Sequence, residues 1–294
     1  MVRLPTSRDF SALTWAEVAA LPNAGHTVLV LPIGAIEQHG HHLPLKVDGA
    51  IASEILNRAL TRLDPSIPAY ALPLLPYGKS NEHLGFPGTI SLSAQTLLAT
   101  VMEIGESVYR AGFRRLVIMN GHGGQPQVLE IAATELRVKF PDFYTFAWFV
   151  WRGAPRYKRF LTEREGREGL HGGAAETSLM LALDSDAVRE SRAMAEYPKL
   201  AGDAGTGAIG VKGPTAAAWR TEDLSHTGVI GDPTGASLEI GEKLLEELVS
   251  GWVELIGAAH QFEFLGGGEI SGNPPQEELG GAAGNAINNA QGHQ

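Results

Sequence analysis

The sequence predicts a three-layer α/β protein, a mostly parallel sheet with helices on both faces, and three observations carry the prediction. Short apolar runs rich in β-branched or aromatic residues recur as candidate strands at Val28 to Pro32, Tyr70 to Leu75, Leu116 to Met119 and Phe143 to Trp151. The stretches between them carry helical periodicity and are long enough to cross from one strand to a parallel neighbour. Polar, Gly-rich junctions that hold histidines follow several of these runs, and sheets of this class collect ligands at the carboxyl ends of their strands.

Taken in order, residues 11 to 21, SALTWAEVAAL, read as a short amphipathic helix in which Thr14 and Glu17 form a capping box. The first strand ends at Gly34, where the chain can turn out of the sheet. Gly49 to Leu63 sets Ile51, Ile55, Leu60 and Leu63 at helical spacing and stops at Asp64-Pro65. The second strand runs into residues 75 to 92, LPYGKSNEHLGFPGTISL, a Gly- and Pro-rich loop that carries Ser80, Glu82 and His83. A loop of that length inside a domain serves either a site or an interface. Ser93 caps the next helix, whose stripe of Leu97, Val101, Gly105 and Val108 ends at Gly112. The third strand delivers Asn120-Gly121-His122-Gly123-Gly124, and Gln125 to Lys139 forms the following helix. Ser237 to Ala259 is a last helix, apolar on one face, expected to dock on the sheet. Residues 201 to 214 form a Gly-rich excursion. Residues 1–262 are expected to make one domain, and 263–294, rich in Gly, Asn and Gln, a flexible tail. No internal repeat is visible.

Composition narrows the function. With 44% hydrophobic residues in 294 the chain can bury a substantial core. Lys and Arg number 23 against 33 Asp and Glu, and the resulting charge of −10 repels a phosphate backbone, so no nucleic-acid partner is expected. Because there is no cysteine, a bound metal must be held by His, Asp or Glu. No apolar run approaches the roughly 18 residues of a membrane span. The N-terminal MVRLPTSRDF lacks the apolar core of a signal peptide, and a cytoplasmic location is the expectation.

The chemistry concentrates in residues 28 to 48, VLVLPIGAIEQHGHHLPLKVD. Glu37 and His39 are spaced i, i+2, which on extended backbone points both side chains to one side. A carboxylate and an imidazole converging at a strand end suit Zn²⁺, Mn²⁺ or Fe²⁺. Asp48 follows, with two oxygens that could bridge two ions. Taken alone these are ordinary polar loop residues, but His39, His41, His42, His122 and His171 all fall in such junctions. His171 precedes a helix that carries Glu176 in its first turns, so both could face one site. Trp148, Trp151 and Tyr157 read either as core or as a wall against a flat substrate.

Three motifs, PIGAIEQHGHHLPLKVD, NGHGG and HGGAAETS, together resemble the creatininase (creatinine amidohydrolase) family, supported by EHLGFPGTISL and TGVIGDPTGAS. The resemblance covers about residues 10 to 260. It implies an α/β fold, a site for two divalent metal ions (Zn, Mn or Fe), a small-molecule substrate and assembly into homo-oligomers, hexamers among them. By position it implies Glu37, His39, Asp48 and His122 as metal ligands, with Asp48 bridging, Glu176 as the remaining carboxylate and His171 as the residue acting on the substrate or leaving group. Creatininase itself has a glutamate two residues after the histidine of NGH, where this chain has Gly124.

The expected activity is therefore metal-dependent hydrolysis of a small, polar amide, cyclic in the first instance. Divalent ions lower the pKa of a water, His171 and Glu176 take part in proton transfer, and Trp148, Trp151, His83 and Ser80 contact substrate. Rival readings keep the metals but open a carbocyclic sugar ketone of the inosose type or cleave a peptide, or retain the fold as a non-catalytic binding protein. A single-iron oxygenase is a further rival, disfavoured by the surplus of carboxylates.

Overall fold

The computed structural model describes residues 8–198, 209–213 and 215–264. Four strands, β1 (Val28–Ile33), β2 (Ala69–Ala71), β3 (Arg115–Asn120) and β4 (Tyr144–Phe149), form one parallel sheet in the order β2-β1-β3-β4. The strand pleat sorts their side chains. Val28, Val30, Val117 and Met119 enter one hydrophobic cluster, and Leu29, Leu31, Ile33, Leu116 and Ile118 enter the other. Apolar residues on both faces are what a covered parallel sheet requires.

The helices are α1 (Trp15–Ala19), α2 (Val47–Arg62), α3 (Ala94–Arg110), α4 (Pro126–Lys139), α5 (Glu163–Glu168), α6 (Ala174–Asp184), α7 (Thr221–Leu224) and α8 (Leu238–Gln261). Side chains of α2, α6 and α8 fill the first cluster, with Trp252 at its centre, while α3 and α4 cover the opposite face. The chain leaves β1 for β2 through α2 on one face and leaves β3 for β4 through α4 on the other. Strands β1 and β3 thus diverge at a topological switch point, where a crevice opens at their carboxyl ends.

Several boundaries differ from expectation, each for a local reason. The capping box of Thr14 and Glu17 is present, but its helix covers only Trp15–Ala19. Strand β2 ends at Ala71 rather than Leu75. Leu72 still donates to Val30, but Pro73 has no N–H to give, and pairing resumes only where Leu75 N donates to Pro32 O at 3.0 Å. Strand β4 stops at Phe149, and Val150–Gly153 tightens into a 3-10 turn. Helix α2 starts two residues earlier than expected, which puts Asp48 in its first turn. Ser93 caps α3 by accepting from Thr96 N, as its position suggested. Of the expected 201–214 excursion only 209–213 lies within the described residues, and of the expected tail only Glu263 and Phe264 do. Among the described residues no helix is long and apolar enough to cross a membrane.

Candidate metal centre

Three chain segments meet at the switch point. Glu37 and His39 follow β1, His122 follows β3, and Asp48 arrives from the start of α2. The approach of α2 to the end of β1 is close. A Cβ on Gly34 would lie 2.7 Å from the backbone of Gly49, so a side chain there would push Asp48 away from Glu37.

The polar atoms converge. His39 Nε2 lies 3.4 Å from Asp48 Oδ1 and 3.8 Å from Glu37 Oε1. His122 Nδ1 lies 2.9 Å from Glu37 Oε2 and 3.3 Å from Asp48 Oδ2. His171 Nδ1 and His83 Nε2 each stand 3.7 Å from Glu37 Oε1. Two sets share these residues: Glu37, His39 and Asp48, and His39, His171 and Glu176, each with ligand atoms within 4.8 Å of one another; Glu37, His83 and His171 form a third. Glu37, His39, Asp48 and His122 are all at most 3% exposed.

The hydrogen bonds behind the cluster decide which atoms face it. His39 Nδ1 donates to Glu37 O at 3.2 Å, so Nε2 is the ring nitrogen that faces the cluster. His171 Nε2 donates to Gln38 O at 2.6 Å, which leaves Nδ1 as an acceptor toward Glu37. Gln38 Nε2 and Thr221 Oγ1 both donate to His83 Nδ1, so the ring N–H of His83 is on Nε2, facing the cluster. Backbone pairing with Ile230 pins His171: Ile230 N donates to His171 O at 2.8 Å. Glu176 Oε2 accepts from Gly172 N at 2.7 Å.

Crowding shifts the titrations. Burial pushes His39 down, but the neighbouring carboxylate of Asp48, with those of Glu176 and Glu37, raises it to about 9. Burial raises Glu176 to about 7, helped by Asp48 and Glu37. Burial also carries His171 well below its ordinary value, with the charges of His39 and His83 acting in the same direction.

The residues fit a metal. Glu37 Oε1, His39 Nε2 and Asp48 Oδ2 are buried without a hydrogen-bond partner, an arrangement that is costly unless a cation satisfies it. Nitrogen and oxygen donors without sulfur match Zn²⁺, Mn²⁺ or Fe²⁺.

In front of the cluster lies a cavity of about 620 Å³. Its inner wall holds Glu37, Asp48, His122, His171 and Glu176, and its outer wall includes Trp151, Tyr157, Lys158, Lys212 and Trp219. Trp151 reaches it because the chain has left the sheet by then, and its ring stands 4.5 Å from that of Tyr157. Two expected substrate contacts are corrected. Trp148 lies on the even-numbered face of β4 and packs against Phe146 and Trp252 in the core, so it does not line the cavity. Ser80 is buried behind the cluster and donates to Glu37 Oε2 at 2.6 Å, a brace for a carboxylate rather than a substrate contact. His83 does line the cavity. His41 points to solvent, and His42 bonds Thr177 Oγ1. Sequence reasoning singled out neither Gln38, which braces both His83 and His171, nor Glu165. The latter is a buried carboxylate that accepts from Ala174 N, Asp232 N and Tyr197 Oη and ties α5 to the start of α6.

On the same side, the carboxylate of Glu196 accepts from His226 N, Thr227 N, Thr227 Oγ1 and Ser225 Oγ, and its backbone pairs with Gly231. This closes the base of the segment that brings Lys212 and Trp219 to the cavity.

Comparison with known proteins agrees with this geometry. A creatinine amidohydrolase from Pseudomonas putida is 39% identical over 200 residues, covering 63% of this chain and 75% of that protein. A mycofactocin precursor peptide peptidase from Mycobacterium ulcerans is 32% identical over 259 residues, covering 86% and 92%. A 3-dehydro-scyllo-inosose hydrolase from Thermotoga maritima is 25% identical over 176 residues, covering 58% and 55%. The crystal structure of a creatininase superposes with a TM-score of 0.71 at 33% identity, over 88% of this chain and all of the other. A manganese form and a zinc–zinc mutant form of creatininase each give 0.71 at 32% identity, over 87% of this chain and all of theirs. The profile of the creatininase family, described as creatinine amidohydrolase, matches residues 11–256, and the chain belongs to that family.

Proposed function

We propose that this protein hydrolyses an amide bond in a small polar substrate at a centre of two divalent cations held by Glu37, His39, Asp48, His122 and Glu176. The chain is a metal-dependent hydrolase of the creatininase family; the substrate and the number of ions are the proposal. The observation that carries it is the convergence of buried, partnerless Glu37 Oε1, His39 Nε2 and Asp48 Oδ2 beneath an open cavity. When bound, divalent cations polarise a carbonyl and make a water more acidic.

The chain's own residues supply the rest. Asp48 has one oxygen toward His39 and the other toward His122, so it is the carboxylate that can serve both halves of the centre. His171 presents Nδ1 as an acceptor and holds its Nε2 proton on Gln38 O, so it takes a proton before it gives one. His83, with its N–H on Nε2, is a fixed donor at the same surface.

A second reading has a specific observation behind it. The cavity is larger than a single small ring needs, and its outer wall offers three aromatic rings and two lysines, which suits an amide with a bulkier or anionic substituent, as in a short peptide. The peptidase relative from Mycobacterium ulcerans, aligned over most of both chains, supports it. The homo-oligomer, hexamer included, belongs to the same proposal by resemblance to the family.

The test is elemental analysis of protein purified without chelator, followed by assay of creatinine, short peptides and an inosose-type ketone before and after chelation. Tightly held metal near two ions per chain and chelator-sensitive hydrolysis of an amide are expected. Metal-free protein with chelator-indifferent activity would overturn the proposal, and turnover of the ketone alone would replace the amide with a C–C bond.

A further inference from the structure

His122 must present one particular ring nitrogen to the cluster, and an imidazole on a Gly-rich turn has little of its own to decide which. Backbone anchoring is limited to Asn120 Oδ1, which accepts from His122 N at 3.0 Å and shapes the turn without touching the ring. The ring has a second partner on its far side. His122 Nε2 donates to Glu82 Oε1 at 3.0 Å, while Nδ1 faces Glu37 and Asp48. Glu82 sits in the 3-10 turn Asn81–His83, its side chain only 11% exposed. Its other oxygen accepts from Lys79 Nζ at 2.8 Å, and the same ammonium donates to Gly124 O at 3.0 Å. The carboxylate is therefore held from both sides, by the ring it orients and by a lysine tied to the turn that carries that ring.

Gly124 completes the arrangement. A Cβ there would lie 1.4 Å from Glu82 Oε1 and 2.4 Å from His122 Nε2. The space that any other residue at 124 would take is the space in which the hydrogen bond forms.

We infer that Glu82, clamped by Lys79, is the positioning residue that sets the ring orientation and tautomer of His122, and that position 124 is glycine to admit its carboxylate. The inference rests on the proposal that the cluster holds cations. A carboxylate on the distal nitrogen fixes the proton there, leaves the lone pair on Nδ1, and makes that nitrogen a stronger donor to a metal.

The experiment compares wild type with Glu82→Ala, Glu82→Gln, Gly124→Ala and Lys79→Met. Zinc affinity is read by competition against a chromophoric chelator, the Co²⁺ absorption spectrum reports the ligand field, and thermal melts of chelator-treated protein report the fold. Glu82→Ala should weaken zinc by about 10- to 100-fold and alter the Co²⁺ spectrum while the melt stays near wild type. Glu82→Gln keeps an acceptor oxygen and should lose less. Gly124→Ala, which displaces the carboxylate without removing it, should reproduce part of the loss, and Lys79→Met a smaller part. If Glu82→Ala fails to fold, the Gln and Gly124→Ala variants carry the test. Zinc affinity within about twofold of wild type in these variants would overturn the inference and leave the metal centre standing. A loss in Glu82→Ala without any in Gly124→Ala would overturn the role given to glycine. A wild-type protein with no affinity for Zn²⁺, Mn²⁺ or Fe²⁺ would overturn both inference and centre.

Discussion

The two walls of the cavity are built on opposite principles. The inner wall takes Glu37 from the loop after β1, His122 from the turn after β3 and Asp48 from the first turn of α2, sets His39 beside them, buries all four almost completely, and braces them with Ser80, the Glu37 carbonyl and Glu82. The outer wall takes Trp151 and Tyr157 from 3-10 turns and Lys212 and Trp219 from a segment outside the sheet, all partly or fully exposed. The difference teaches where each property of a hydrolase is stored. The reacting centre depends on sub-ångström placement and sits in buried, braced turns just beyond the strand ends, whereas selection among substrates sits on exposed segments farther from the sheet.

The strongest way to break this comparison is at the inner wall. Asp48→Ala should lose metal and activity together, by at least about 10³-fold if the cations contribute several kcal/mol to the transition state. His171→Asn, one step outward, should keep its metal and lose about 10²- to 10⁴-fold in turnover, the usual share of a proton-transfer residue. Metal content and turnover measured on the same preparations decide the matter. Demetallated His171→Asn would make His171 a ligand, as its place beside His39 and Glu176 allows.

The outer wall should respond differently. Trp151→Ala should leave turnover of a small-ring amide nearly unchanged and raise KM for a bulkier amide by about 10-fold, the scale of a lost pocket contact. Equal effects on both substrates would show that the aromatic wall supports the fold rather than the choice of substrate.

The smallest expected effect sharpens the electrostatic side. Glu176 is raised by burial to about 7, above the 4.5 of an unperturbed glutamate, so the folded state binds its proton more tightly than the unfolded chain. Stability of chelator-treated protein should therefore fall as pH rises from 4.5 to about 7, and Glu176→Gln should remove that part of the fall. Melts of both proteins at pH 5 and pH 8 test this: the variant should gain on wild type at pH 8, and an equal difference at both pH values would count against it.

How far the sequence could be read follows the same division. The strands, the alternation that makes the sheet parallel, and the polar junctions that carry Glu37, His39 and His122 were legible because each is a local pattern, an apolar run and then a polar turn, whereas the grouping of Glu37, His39, Asp48 and His122 as one ligand set came from the resemblance to the creatininase family. Trp148 and Trp151 were not separable. In FYTFAWFVW the aromatics fall on both faces, and what assigns them is a strand that ends at Phe149 and a partner, Trp252, a hundred residues away. Ser80 was misread for a related reason, since its burial behind Glu37 depends on how the loop folds back over β1. Glu82 lay in a loop that read equally as a site or an interface element, and nothing local linked it to a histidine forty residues on. Only the absence of a side chain at 124, a departure from creatininase, pointed at the space it fills.

The Glu196 clamp has a consequence for how such a protein can change. Residues 196 and 226 are joined at the base by hydrogen bonds to one carboxylate, and the segment between them contributes Lys212 and Trp219 to the cavity. The entropy of closing a loop grows only with the logarithm of its length, about 0.6 kcal/mol for each doubling. Insertions or deletions between Glu196 and α7 therefore cost little in stability as long as Glu196, its partners and the Thr221 contact to His83 survive. The clamp thus separates the part of the chain whose length and sequence can drift toward new substrates from the strand ends and the α7 contact, which stay the same.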